Sequence, residues 1–334
     1  MRTRRTTLTL AAAGVLLLAA ACGSPGSGGG DDGGGTSSAS AGLSTCEPVA
    51  GDQLVVLTDD KGLQNADNVI PAVNAQAATD DPDLVPLLDS VSESLDTSKL
   101  IALNKAVDID RQTAADAAAA YIQDEGLEAS DPTAGSGKDV TIGAANFSES
   151  STLAELYAQV LRSAGYTVNV QTIGNRETYL PALQSGEITV VPEYAATLAE
   201  FLNTKVNGDG ASPVASSDTT ETVAALTALG QDAGLTFGAP SDAQDQNAFA
   251  VTQEFADEHD VATLSELAET CGGLILAGPP ECPERPFCEP GLTDTYGMDI
   301  TEFQSYDFGL IGDAVRQGKA TIGLVLSSDG SLAS

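Results

Sequence analysis

From Asp139 onward the sequence alternates short apolar runs with longer amphipathic ones, and the alternation stops only just before the chain does. Val140-Thr141-Ile142-Gly143 has the length and β-branched content of a strand, and the stretch after it sets Leu153, Leu156, Tyr157, Val160 and Leu161 on one helical face. The spacing continues with a strand at 167–172, a helix at 177–185, a strand at 188–191 and a helix beginning near Tyr194. After a polar loop it resumes: helix 218–233, strand 247–252, helix 263–270, strand 273–277, helix 308–318, strand 321–325. Such alternation predicts an α/β fold with a mainly parallel sheet covered by helices on both faces. The last strand lies nine residues from Ser334, which leaves the sheet without closing elements. No internal repeat is evident.

The missing elements are found at the other end of the sequence. Residues 46–130 open with the apolar strand Leu54-Val55-Val56-Leu57 and the turn-rich Thr58-Asp59-Asp60-Lys61-Gly62. Helical stretches follow at 83–95, 97–106 and 112–125; in the last, Ala114, Ala117, Ala118, Tyr121 and Ile122 recur at helical spacing. Residues 130–138, rich in Gly, Ser, Asp and Pro, then read as a linker.

Ahead of all this, Arg2, Arg4 and Arg5 precede an apolar run of fourteen residues, Leu8 to Ala21. That is too short to span a bilayer and has the form of a signal-peptide core over residues 1–21. The run ends in small residues directly before Cys22, which resembles a lipoprotein processing site, so Cys22 is expected to carry lipid. Residues 22–45 are nearly all small or polar and read as a flexible tether. Roughly 290 residues remain, enough for two lobes or one large domain.

The chain carries a formal charge of −34, and removal of residues 1–21 takes away three arginines and no acid. So negative a surface argues against nucleic acid and anionic headgroups as partners; for the rest it means solubility and identifies no ligand. Beyond Cys22 there are four cysteines, Cys46, Cys271, Cys282 and Cys288, an even number consistent with two disulfides in an exported chain, of three possible connectivities. Cys282–Cys288 would close a short loop around Arg285, and Cys46–Cys271 would pin the end of the tether; these are the expected pairs. A zinc site is the rival, but His259 is the one nitrogen ligand to hand and the spacings match no common zinc pattern. A single histidine, in a polar Glu-His-Asp segment, also gives a nucleophilic triad little to build on. The glycines between Gly23 and Gly35 lack the strand and helix that a phosphate-binding loop needs.

The runs Gly143-Ala144-Ala145-Asn146-Phe147-Ser148-Glu149-Ser150, Ala182-Leu183-Gln184-Ser185-Gly186-Glu187-Ile188 and Val191-Pro192-Glu193-Tyr194 resemble the opening of a known family: the glycine betaine, choline and carnitine (quaternary amine)-binding proteins of ABC importers. Ala248-Phe249-Ala250-Val251, the segment from Pro280 to Arg285, and Tyr296-Gly297 resemble its middle, and Ser327-Ser328-Asp329-Gly330 its later section. The strand and helical tail that would follow resemble Leu54 to Gly62 and Leu100 to Asp108, so the order is that of the family circularly permuted, with residues 130–138 joining the old termini. Permutation is physically tolerable where chain ends lie close together at the surface.

The resemblance implies a two-lobed, type II periplasmic-binding-protein-like α/β fold closing over its ligand. Lobe one would be residues 67–245 and lobe two 46–66 plus 246–334. With the anchor expected at Cys22, it implies an extracytoplasmic monomer that delivers a small quaternary amine or related zwitterion, glycine betaine- or choline-like, to ABC permease subunits, with no cofactor, metal or catalysis; a different small amine or amino acid, or a ligand-sensing receptor, is the alternative. In the family, tyrosines box the quaternary ammonium. Here Tyr194 keeps one such position, while the others correspond to Asn247, Leu326 and Asp67. Arg285 is expected to bind a ligand carboxylate, with Arg176 as a second candidate at a helix start. Asn146, Ser148 and Thr197 stand at helix starts, as ligand donors or simple caps. Phe147 is a cleft wall or a core residue.

The anchor gives the first testable outcome. Cys22→Ala should release the protein from membranes into the soluble fraction, and mass spectrometry of the native membrane-bound form should show acylated Cys22; an unmodified Cys22 there rules the lipoprotein reading out.

Overall fold

A computed structural model describes residues 43–333 apart from 209 and 281. The signal segment 1–21, Cys22 and the tether up to residue 42 lie outside the described residues. The strands, in chain order, are β1 (Ser44–Thr45), β2 (Leu54–Leu57), β3 (Val69–Asn74), β4 (Asp139–Ala145), β5 (Thr167–Gly174), β6 (Val190–Tyr194), β7 (Leu235–Phe237), β8 (Asn247–Thr252), β9 (Cys271–Gly272), β10 (Leu274–Gly278), β11 (Ile300–Ser305) and β12 (Ile322–Leu326).

They form two five-stranded sheets, ordered β5-β4-β6-β3-β7 and β11-β10-β12-β8-β2, and a two-stranded β1-β9 ladder. β3 and β6 are buried along their whole length, including Asn74 and Glu193. Helices Leu84–Ser94 and Ser148–Ser163 cover the first sheet, with Ala114–Glu125 packed on the latter, around Leu88, Leu153, Tyr157 and, from the helix Thr97–Asn104, Leu100, all essentially inaccessible to solvent. In the second sheet Phe249, Phe255, Leu57 and Leu276 belong to one core cluster. Local capping matches the sequence: Thr113 accepts from the Asp116 amide at the start of helix Ala114–Glu125, and Gly126 at φ +67° ends it.

The sheets are mixed rather than mainly parallel. β4 runs parallel to β5 and β6, and β10 parallel to β11 and β12, as strand–helix–strand units require. β3 is antiparallel to β6 and β7, and β8 antiparallel to β12 and β2. These two are the strands that arrive from the other sheet, at 58–68 and 238–246, so no same-sheet crossover sets their direction. β3 was missed in the sequence because Pro71 interrupts it; there the ladder places Pro71 opposite Pro192, and neither residue has an amide hydrogen to lose.

The second sheet contains both ends of the described chain. β2 is its edge strand, paired with β8 from Leu54↔Thr252 to Leu57↔Phe249. Arg316 draws the two ends together: its carbonyl accepts from the Gly51 amide (3.0 Å), its Nε donates to the Asp52 carbonyl (3.1 Å) and its Nη2 to the Ser331 carbonyl (2.9 Å). Gly330 presses against the helix Thr97–Asn104, where a Cβ would stand 2.6 Å from the Lys105 nitrogen, so only glycine fits.

Cys46 is bonded to Cys271 and Cys282 to Cys288. The first bridge holds Ser44–Thr45 alongside β9, so the tether becomes ordered strand two residues before the boundary expected at 45. His259 lies against that bridge, its Nδ1 3.6 Å from the Cys46 sulfur. The linker is mostly exposed, though Gly135 is buried against Tyr166 and its amide donates to the Ala164 carbonyl. No helix of the described residues is long and apolar enough to cross a membrane.

The closeness of Ser331 to Asp52 makes a rearranged chain buildable. Residues 139–334 joined to 51–130 should fold to a monomer with a cooperative thermal transition, lower than that of the full chain because the Cys46–Cys271 bridge is gone, checked by circular dichroism and calorimetry. A chain that stays unfolded would show that the two ends are not interchangeable.

Candidate functional site

A cavity of about 730 Å³ opens between the two sheets. Its floor is made where β4, β5 and β6 end and their helices begin: Ala145 to Phe147, Asn175 to Glu177, and Tyr194 to Thr197. The carboxyl ends of parallel strands are where open α/β sheets leave a crevice. Both crossings between the sheets contribute, through Gln64, Asn65 and Asp67 and through Asp245, Gln246 and Asn247. Phe287 and Leu326 face it from the second sheet's side.

Phe147 and Tyr194 form one wall, their ring centroids 6.3 Å apart and their planes 29° from parallel. Phe147 is 43% exposed and Tyr194 8%, so Phe147 is the open face. Across the cleft Phe287 is 41% exposed. The buried Gln64 side chain holds its loop by donating to the Phe287 carbonyl (3.0 Å), and Gln64 in turn is fixed by Asp59, which accepts from the amides of Leu63 (2.9 Å) and Gln64 (2.7 Å) and from the Tyr296 hydroxyl.

Three carboxyl groups cluster around Tyr194. Asp67 accepts the amides of Ala196 (2.8 Å) and Thr197 (3.1 Å) and so caps the helix Ala195–Asn207 from another segment. Burial pushes its acid up to about 7, against those two amides and the Arg176 charge. Asp245 accepts from the Ser328 hydroxyl (2.9 Å), and burial, with Glu149 next in weight, pushes it up to about 8. Glu149 accepts from the Tyr194 hydroxyl and from the Asn104 amide, and burial raises it too. Burial and the charge of Glu149 raise the Tyr194 phenol far above its ordinary value, so it stays a hydrogen-bond donor.

The family model for the substrate binding domain of ABC-type glycine betaine transport systems matches residues 47–124 and 138–334. The chain belongs to that family. The short stretch between the matched segments holds the 130–137 turns. A solved structure titled as a glycine betaine/carnitine/choline ABC transporter is similar at 20% identity and a TM-score of 0.45, covering 59% of this chain and 70% of that one.

Within this substrate-binding domain, Tyr194, Asn146, Phe147, Thr197, Arg176, Asn247, Asp67 and Leu326 all line the one cavity. Ser148 and Arg285 do not. The Ser148 hydroxyl turns away to donate to Asp108 (3.1 Å). Arg285 is exposed, on the loop closed by Cys282–Cys288, and its neighbour but one, Phe287, faces the cleft instead. Arg176 lines the cavity but is committed to Glu193, through Nη2 to Oε2 (2.6 Å) and Nε to Oε1 (3.0 Å), with Nη2 also donating to Thr197 (3.0 Å). Glu149, Asp245, Gln64 and Phe287 escaped sequence reasoning. Only Phe287 carried a usable signal, an aromatic residue between Pro286 and Cys288 in a loop short enough to be braced.

The raised acids make a pH prediction. Asp245 titrates near 8 in the folded chain and near the ordinary Asp value of about 3.9 when unfolded. Between those values the folded state holds more protons, so stability falls as pH rises from about 4 to about 8. Glu149, Asp67 and Asp329 face Asp245 and push the same way. Ligand-free protein should therefore melt lower at pH 8 than at pH 5, and Asp245→Asn should flatten that slope. An identical slope in the variant would show that Asp245 is not held protonated.

Proposed function

We propose that this chain captures a small quaternary amine or related zwitterion, of the glycine betaine or choline kind, between its two lobes and delivers it to an ABC permease. One observation carries the reading: the Phe147 and Tyr194 rings share a cavity with the Asp67 and Asp245 carboxyl groups. Ring faces and carboxylates both attract a cation, and both do so more strongly out of water. A carboxylate on the same ligand also finds partners, because the helices Ser148–Ser163 and Arg176–Ser185 begin at the cleft and present the positive ends of their dipoles.

Arg176 is held by Glu193, so Arg285 at the exposed loop is the arginine available to a ligand carboxylate once the lobes close. Lobe one comprises 67–245 and lobe two 46–66 with 246–334; hinge closure about the two crossings brings the Phe287 loop toward Phe147. Capture and release require no metal, cofactor or turnover. The protein acts as a monomer, held at the outer face of the cell membrane by lipid on Cys22.

Since the chain has no Trp, titration calorimetry is the direct test. A panel of betaines, choline, carnitine, polyamines and amino acids should yield stoichiometric one-site binding of at least one amine, without chemical change in it. Arg285→Ala should weaken a carboxylate-bearing ligand by about tenfold or more, and leave a ligand without an acid group nearly unchanged. Tight binding of a neutral sugar, with no amine bound, would overturn the ligand class.

A further inference from the structure

We propose that this cleft prefers an amine that still carries N–H bonds, a primary or secondary ammonium, over its fully methylated counterpart. The inference rests on the amine reading above and narrows it.

A quaternary ammonium offers no hydrogen-bond donor, and the protein group that best replaces its water is the face of an aromatic ring. A site for such a cation surrounds it with rings. Here the near rings, Phe147 and Tyr194, form a single wall in which they stack on each other; Phe287 stands across the cleft, and Tyr179, which also lines it, is only 3% exposed, with its hydroxyl held by Glu193. Other wall positions are an acid, an amide and an alkyl group, Asp67, Asn247 and Leu326, and most of the rest are polar.

What the cleft offers in place of rings is acceptors. In Asp67 both backbone amides go to Oδ1, and in Asp245 the Ser328 hydroxyl goes to Oδ1. Among the described residues, no donor reaches Oδ2 of either acid, although both side chains line the cavity. An N–H of a ligand ammonium satisfies such an oxygen with a charge-assisted hydrogen bond. An N-methyl group in its place leaves a desolvated carboxylate oxygen unpaired, the situation in which sites discriminate most sharply. Arg176 does not compete for these oxygens, because its donors go to Glu193 and Thr197.

The test is a methylation series titrated into the full chain by calorimetry: glycine, N-methylglycine, N,N-dimethylglycine and glycine betaine, with ethanolamine against choline as a second pair and a linear diamine alongside. Affinity should fall as methyl groups are added, with each trimethylated member weaker than its primary amine by about tenfold or more. Asp245→Asn should narrow that ratio while the variant still binds. Affinity that is flat or rises with methylation overturns the preference and leaves the amine reading standing. Failure of every amine in both series overturns the amine reading together with it. If the variant does not fold, the wild-type series alone decides.

Discussion

The buried carboxyl group of Glu149 is the point through which the cleft wall and the chain's C-terminal segment are connected. It accepts from the Tyr194 hydroxyl on one side and from the Asn104 amide on the other, and that amide also donates to the Ser328 carbonyl (2.8 Å). Three distant parts of the sequence are thus tied to the second turn-forming residue of one helix. An acid this deep is costly unless its lone pairs are filled, and each partner stripped of it would be left unsatisfied at about 1–3 kcal/mol. The Tyr194 ring cannot leave the wall without stripping one Glu149 oxygen of its partner, and Asn104 cannot shift without losing both the other Glu149 oxygen and the Ser328 carbonyl. Gly330 makes the same contact tight from the backbone side, since any side chain there would meet Lys105.

A second dependence runs through the N-terminal piece. β2 completes the second sheet, and the loop after it does more than return the chain. Asp59 gathers the Leu63 and Gln64 amides, Gln64 then grips the Phe287 carbonyl, and Phe287 faces the ligand cavity. An aromatic wall supplied by the far end of the sequence is thus positioned by residues near its beginning. Both ends of the described chain are bound to one sheet by β2–β8 pairing and by Arg316.

The strand and helix alternation was legible because each element has its own period and its own caps, and the parallel unit β4-β5-β6 follows from it directly, as do β10 and β12; the edge strand β11, half exposed and polar along Thr301-Glu302 and Gln304-Ser305, carries no apolar run and was not legible. β3 was not legible, because a proline at its centre normally argues against an interior strand, and only the facing Pro192 removes the objection. The cavity positions near motifs, Tyr194, Phe147 and Asn146, could be named from the sequence. The decisive acids could not. Glu149 and Asp245 are two among 48 acidic residues, and nothing local separates a carboxylate at a solvated face from one turned inward. On the Cys282–Cys288 loop, attention to charge favoured Arg285, while the structure turns the apolar Phe287 toward the cleft: in a loop this short, neighbouring side chains cannot all face one way.

Net charge and ligand charge are consequently separate matters in this protein. Among the described residues most acids stand in solvent, where salt screens them within about 8–10 Å and they serve solubility. Asp67, buried, and Asp245, half-buried, differ from these in setting, not in kind. Withdrawn from water, they are held partly protonated when the cleft is empty, and a bound cation favours their ionised form. The field that a ligand meets is set by the acids and rings that line the cleft, and Glu193 offsets part of the charge that Arg176 brings to Asp67. A chain with a far smaller net charge and the same cleft-lining acids would present the same site.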